Sequence, residues 1–261
     1  MEKQEFLEKL QRLAVQCDGL LTHADGSWIV KGFIDSFKSV YAMPGDTKVL
    51  SKVVELMLFP TFAKFANDNN LKMYLSGKQN HYPDLTFECE KGRKYAVDLK
   101  TTYRENDLVV NTMTLGAFTG YFRDRKSSKN TLFPYGDYES HFVFCVIYNR
   151  CEVAPAEDRK FELKDLDAIP SVIRNLKFFA QYKYKVAKDQ PGSGNTKNIG
   201  AINNIEDLVK GLGPFSRLGE DVFDDYWMYY LTRDMARAAE LAQPPYKNIK
   251  TYLEYKKTPK K

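Results

Sequence analysis

The chain has 261 residues, enough for one large domain or two small ones with a full core. Its 17 Tyr and 17 Phe, without any low-complexity tract, exclude a disordered chain. A formal net charge of +5 permits a nucleic-acid partner without requiring one, and no apolar run approaches the roughly 20 residues that span a bilayer. The N-terminal stretch MEKQEFLEKLQRL is charged and amphipathic, unlike a signal peptide. Cys17, Cys89, Cys145 and Cys151 have no CxxC spacing, so reduced structural thiols are expected rather than a disulfide framework.

Over residues 3–17, Phe6, Leu7, Leu10, Leu13 and Ala14 follow the i, i+3, i+4, i+7 stripe of an amphipathic helix. Asp25-Gly26 marks a turn between the extended pieces LLTH and SWIVKGF, an edge hairpin that packs on its own domain or serves a subunit interface. Asp46 is placed to N-cap the helix TKVLSKVVELMLF, which should end or kink at Pro60. Glu55 falls inside that apolar run; on sequence alone it reads as a helix residue with its carboxylate turned to solvent.

The next stretch, KQNHYPDLTFECEKGRKYAVDLKTTY, concentrates the chemistry. KYAVDLK alternates as a strand does, with Tyr95, Val97 and Leu99 on one face and Asp98 and Lys100 together on the other. Asp84 to Cys89 reads as a second strand, and Glu90-Lys91-Gly92 suits a three-residue hairpin loop with glycine in the left-handed position. That loop pairs Cys89 with Arg93, and counting back sets Asp84 opposite Asp98, with Cβ atoms about 5 Å apart. A longer loop or a bulge would alter this register. Two carboxylates and a lysine on one patch suit Mg²⁺-assisted attack on a phosphodiester, although charged residues on a solvated strand face are also common. His81 reads as a packed or hydrogen-bonded structural residue, and Gln79 and Asn80 carry amides that can meet base edges or sugars.

Residues 112–122 read as helical or turn-like. They lead into RDRKSSKN, where Arg123, Arg125, Lys126 and Lys129 form either a solvated loop or a phosphate-contacting patch. HFVFCVIYNR (141–150) is continuously apolar and reads as a buried central strand; His141 at its start has no evident partner. Residues 152–175 suggest a connector and a short helix, and FFAQYKYKVA (178–187) a strand with alternate lysines. In PGSGNTKNIGAI the glycines permit close approach to a ligand, but the spacing is not that of a phosphate-binding GxxxxGK[ST] loop. A surface loop and a major-groove reader are the two readings, since Asn can bond adenine bidentately and a Thr methyl can meet the thymine methyl. DVFDDYWMYYLTRDMARAAELA reads as one amphipathic helix, with Arg233 and Arg237 on a shared face, and YKKTPKK as a basic, mobile tail.

Pro83-Asp84 followed by Asp98-Leu99-Lys100 looks like the PD-(D/E)xK nuclease motif. The likeness extends through KQNHYPD, VDLKTTY, GDTKVL and GSGNTKNIG, so that from about Gly45 to about Arg237 the sequence resembles the EcoRV-type type II restriction endonucleases. The resemblance implies an α/β fold: a restriction-endonuclease-like core with a mixed β-sheet flanked by helices and a DNA-reading loop region. It implies one endonuclease domain over 1–261, with 1–44 for dimerisation, 45–150 the catalytic core, 151–245 the DNA-recognition region and 246–261 the basic tail. Asp84, Asp98 and Glu55 would hold Mg²⁺, and Lys100 would stabilise the attacking hydroxide. Gly192, Gly194, Asn195, Thr196, Lys197 and Asn198 would meet DNA from the loop, and Gln79, Asn80, Thr119, Lys129 and Arg237 from elsewhere. Lys197 stands where the family pattern has a smaller residue. The implied enzyme is a prokaryotic cytoplasmic homodimer that cuts double-stranded DNA at the centre of GATATC or a close relative, leaving blunt ends, while a methyltransferase protects the host genome. Another nuclease of the same core and a non-catalytic DNA-binding protein are the alternatives.

Overall fold

The computed structural model describes residues 1–78, 81–152, 159–192 and 197–258. In chain order the elements are α1 (Lys3–Cys17), β1 (Gly32–Ile34), β2 (Val40–Ala42), α2 (Thr47–Asp68), β3 (Leu71–Leu75), β4 (Leu85–Cys89), β5 (Lys94–Tyr103) and β6 (Thr114–Ala117). There follow β7 (Tyr138–Arg150), β8 (Lys160–Phe161), β9 (Ile173–Tyr182), the single turn α3 (Lys183–Val186), β10 (Ala187–Pro191) and β11 (Asn198–Ala201). Four helices close the sequence: α4 (Ile205–Lys210), α5 (Glu220–Tyr229), α6 (Arg233–Ala238) and α7 (Ile249–Lys257).

A five-stranded mixed sheet in the order β3-β4-β5-β7-β9 forms the centre, with β5 and β7 parallel and the other neighbours antiparallel. Parallel neighbours need a long crossover; here the chain between Tyr103 and Tyr138 supplies it and carries β6 on the way. HFVFCVIYNR lies within β7, an interior strand, as its unbroken apolar run predicts.

The two faces of the sheet bury different partners. On one, α1 sets down Phe6, Leu7, Leu10, Leu13 and Ala14, the stripe expected from spacing, beside Leu50, Val54, Leu58 and Phe62 of α2. Phe6 stacks on Tyr95 at 4.3 Å, and Phe87 and Phe142 complete that cluster. On the other face, Ala96, Val143, Cys145 and Phe179 meet Phe118, Leu208, Tyr226 and Trp227 from the crossover and the C-terminal helices. Cys17, Cys89 and Cys145 are buried free thiols and Cys151 a partly buried one.

Several local expectations change. Asp46 caps α2 as its position suggests, accepting from the amides of Lys48 and Val49, but the helix runs through Pro60 to Asp68. A proline inside a helix costs about 3 kcal/mol or more. Burying Phe62 and Phe65 beyond it returns roughly 1.5–3 kcal/mol each, which offsets that cost. Within residues 112–122, Thr114–Ala117 is strand rather than helix because it finds a partner in β11, while Gly120–Phe122 is a 3₁₀ turn. The strand expected over 178–187 begins earlier, at Ile173, and stops at Tyr182, where α3 turns the chain into a second sheet. That sheet has the order β10-β11-β6. The expected C-terminal helix is two, broken after Tyr229 and restarted by Thr232, whose side chain caps α6. Tyr255–Lys257 of the basic tail are the last turn of α7. Trp28 is fully buried on the chain's own core, and β1 and β2 join β8 in a third, small sheet.

Candidate active site

The β4–β5 hairpin has the geometry its loop demands. Cys89 N–H donates to Arg93 O at 3.1 Å, Gly92 N–H donates to Cys89 O at 2.8 Å, and Gly92 takes φ +75°. The ladder then runs Glu88–Lys94, Phe87–Tyr95, Thr86–Ala96, Leu85–Val97 without a shift. One step beyond the last pair come Asp84 and Asp98, whose carboxyls lie close enough to interact. Tyr95 and Val97 go into the α1/α2 core, which leaves Asp98 and Lys100 on the opposite face.

Asp84 stands just before β4, half-buried, and its Oδ2 accepts the Leu99 N–H at 2.7 Å. Asp98 is only 5% exposed, and its Oδ2 lies 2.6 Å from Lys100 Nζ. Burial, then the charge of Asp98, pushes the Asp84 carboxyl up to about 7, against the pull of Lys100 and the Leu99 amide. For Lys100 burial works against the ammonium, but Asp98 and Asp84 outweigh it and the pKa rises. Two carboxylates pressed together under partial burial resist being charged at once; a divalent cation between them removes that conflict.

All three groups line a cleft of about 1190 Å³ whose walls also include Lys48, Lys52, Glu55, Tyr121 and Asn198. Glu55 comes from α2 with its side chain 21% exposed and 2.6 Å from Lys52 Nζ. It therefore faces the cleft rather than open solvent, as the resemblance rather than the helix pattern suggests. Among the described residues no three His, Cys, Asp or Glu side chains converge closely enough to hold a metal by themselves. Asp84 and Asp98 form the near pair, and Glu55 lines the same cleft.

His81 lines the same cleft, half-buried, with its amide donating to Lys78 O at 3.4 Å. His141 does find a partner: its Nδ1 lies 2.8 Å from the Tyr82 hydroxyl, and its ring stacks on Tyr135 at 3.9 Å. Burial, helped by Lys183 and Arg125, holds His141 well below its ordinary pKa, so it is a neutral strut of the wall.

The residues expected to meet DNA are only partly brought together. Asn198 lines the cleft at the start of β11, and its carbonyl accepts the Gly192 N–H at 3.0 Å. A β-carbon on Gly192 would come within 2.6 Å of the Thr114 methyl, so any larger residue there would have to displace Thr114. Lys197 is exposed, and its carbonyl accepts the Phe118 N–H at 2.9 Å. Thr119 is half-buried ahead of the 3₁₀ turn, Lys129 is exposed, and Arg237 is 84% exposed beside Asp234 at 4.0 Å. Gln79, Asn80, Gly194, Asn195 and Thr196 lie outside the described residues. In RDRKSSKN, Arg123 and Arg125 turn inward: Arg123 donates to the carbonyls of Phe118 and Tyr230, and Arg125 pairs with Asp224 at 2.7 Å. Of that run, Lys126 and Lys129 are left exposed as cations. Tyr121, Lys48 and Lys52 are cleft residues that no motif spacing pointed to.

A sheltered pair of carboxylates with a lysine, set on a hairpin at the rim of an open cleft, is the arrangement of the PD-(D/E)xK class of nucleases. Comparison with known proteins narrows the class. The family model described as restriction endonuclease EcoRV matches residues 24–257. The type II restriction enzyme EcoRV of Escherichia coli is 34% identical over 229 residues, which cover 87% of this chain and 90% of that enzyme. Among solved structures, NlaIV restriction endonuclease aligns with 98% of this chain and 96% of its own at 10% identity and a TM-score of 0.44, too distant to bear on the argument. The chain belongs to the EcoRV restriction endonuclease family, and hence to the type II site-specific deoxyribonucleases, which act on double-stranded DNA. No helix among the described residues is long and apolar enough to cross a membrane.

Proposed function

We propose that this enzyme makes Mg²⁺-dependent double-strand cuts at a short palindrome, GATATC or a close relative, and leaves blunt ends. The observation that carries the reading is the register-opposed Asp84–Asp98 pair with Lys100 at 2.6 Å, open to a cleft. The donor set fits the metal. Carboxylate oxygens are hard ligands, and Mg²⁺ keeps several positions for water and phosphate oxygens, so two close carboxylates with Glu55 in the same cleft suffice. Bound there, Mg²⁺ would polarise the phosphodiester and favour hydroxide over water.

The chain's own groups do the rest. Asp84 is held in place by the Leu99 amide, and Asp98 by its pairing with Val143 of β7. Lys100, kept protonated by the two carboxylates, places a positive charge where the attacking hydroxide and the phosphorane-like charge develop. Glu55 would assist from α2. Asn195 and Thr196 with Gly192, Gly194, Lys197 and Asn198 would read bases, and Gln79 and Asn80 would approach the minor groove. Thr119, Lys129 and Arg237 would contact the backbone.

A palindromic site calls for a two-fold dimer, each subunit cutting one strand. Support for a homodimer comes from Phe33, Ile34 and Phe37 in the N-terminal region, which are 47%, 59% and 88% exposed. The reading also places the enzyme in a prokaryotic cytoplasm alongside a methyltransferase of the same specificity.

Digestion of a long, sequenced, unmethylated DNA with Mg²⁺, followed by sequencing of the fragment ends, tests all of this together. Blunt ends at the centre of one palindrome are expected. Cuts unrelated to sequence would point to another nuclease of the same core, and no cutting under any divalent ion to a non-catalytic DNA-binding protein. Sedimentation should give about twice the 30.2 kDa chain mass.

A further inference from the structure

Lys183, the first residue of α3, is 1% exposed, and its Nζ has no hydrogen-bond partner among the described residues. The ammonium instead lies over aromatic faces, 4.5 Å from the centre of the Tyr82 ring, 5.7 Å from Tyr135 and 5.8 Å from Phe122. Enclosing an unpaired ammonium is costly, and cation–π contacts return only part of that cost. A methionine of similar length would occupy the same space without that cost. Packing therefore does not account for the charge.

Its position does. Tyr82, the nearest ring, is two residues before Asp84. On the other side stands β6: a β-carbon on Gly116 would fall 3.8 Å from Lys183 Nζ and 3.2 Å from the Tyr121 hydroxyl. Gly116 belongs to the strand that pairs with β11, where Asn198 faces Ala117 and Gly200 faces Thr114. Lys183 itself is the hinge by which the chain leaves β9 of the catalytic sheet for β10 of the reading sheet. The ammonium thus lies against the segment that leads into Asp84 and beside β6, the strand that pairs with β11. Asp98 exerts the largest attraction on it, ahead of Asp224 and Glu220, while burial lowers its pKa to about 8.

We propose that Lys183 is a positioning residue for cleavage: its enclosed ammonium fastens the DNA-reading sheet to the Tyr82–Asp84 segment, so that the loop stem and the carboxylate pair keep one spacing. The claim rests on the nuclease reading above and adds a residue that touches neither metal nor DNA. Misplacing reacting groups by about 1 Å can cost on the order of 100-fold in rate.

The test compares wild type with Lys183→Met in single-turnover cleavage of a GATATC duplex under Mg²⁺, with binding of the same duplex measured under Ca²⁺. Lys183→Met should cut roughly 10–100-fold more slowly at saturating enzyme, with unchanged affinity. Lys183→Arg, which retains the charge, should recover part of the rate. A side chain that only fills space would shift the melting temperature and leave the single-turnover rate alone. An unchanged rate in Lys183→Met, or a loss of affinity that fully explains the loss of rate, overturns the clamp; wild-type cutting alongside keeps the nuclease reading separate from it. Should Lys183→Met not fold, Lys183→Gln, neutral but polar, carries the same comparison.

Discussion

The β4–β5 hairpin and the β6/β10/β11 sheet border one cleft and are both antiparallel, yet they are built in opposite ways. The hairpin ladder is unbroken, ends in a loop whose glycine conformation is fixed, and lies between two cores. The β6/β10/β11 sheet shifts register in both of its pairings, and Gly192 and Gly200 pass so closely that a β-carbon on Gly200 would come within 3.1 Å of Gly192 Cα. Carboxylates that must hold a set depth against each other and a lysine are placed on a regular ladder. The second sheet is irregular instead, and such register shifts re-aim the chain.

The contrast predicts losses of different kinds. The largest should follow Asp98→Ala, which removes one of the paired carboxylates: Mg²⁺-dependent cutting should disappear while circular dichroism stays native. Even about a tenth of the wild-type rate in that variant would remove the metal assignment. Asn195→Ala should act on discrimination instead, at about 1–3 kcal/mol per half-site and roughly 2–6 kcal/mol for the dimer. Cognate cutting should fall nearly to nothing while non-specific binding, carried by Lys and Arg, survives; full sequence preference in that variant would show that the loop is not the reader.

A smaller effect should appear without DNA. Asp84 titrates at about 7 in the folded metal-free protein but near 4 when unfolded, so between these values the folded state holds the extra proton. Stability of the metal-free protein should therefore fall as pH rises from about 4 to about 7, by a few kcal/mol at most. Melting temperatures across that range should show the fall in wild type and a flatter profile in Asp84→Asn; equal slopes would mean that the pair is not under strain. Smallest of all, Arg237→Ala should weaken cognate and random duplexes alike and reduce the salt slope by about one. A sequence-dependent loss there would move Arg237 from the backbone to the bases.

The same contrast explains what could be read ahead of the structure. A three-residue loop ending in glycine determines register by counting, so the opposition of Asp84 and Asp98 and the inward faces of Tyr95 and Val97 follow from local order alone. The stripe in α1 and the apolar run in β7 are likewise local patterns. Thr114–Ala117 carries no such pattern: four residues become strand only because β11, far along the sequence, lies beside them. Arg123 and Arg125 read as a solvated loop or a phosphate patch until Tyr230 and Asp224 are seen to receive them. Glu55 shows the limit from the other side, since a helical pattern says which face is apolar but not which cleft the polar edge overlooks.

The stacking of Phe6 on Tyr95 has a consequence for how the chain is made. Helix α1 lies ahead in the chain of the strands it packs against, and the surface it covers includes Phe87, Tyr95, Phe142 and Tyr182. Until β9 has emerged, the Phe6, Leu7, Leu10 and Leu13 stripe has no complete resting place. Contacts so far apart in sequence delay closure and lengthen the time apolar surface stays uncovered. When the purified protein refolds, that helix should gain protection from hydrogen exchange later than the β4–β5 hairpin.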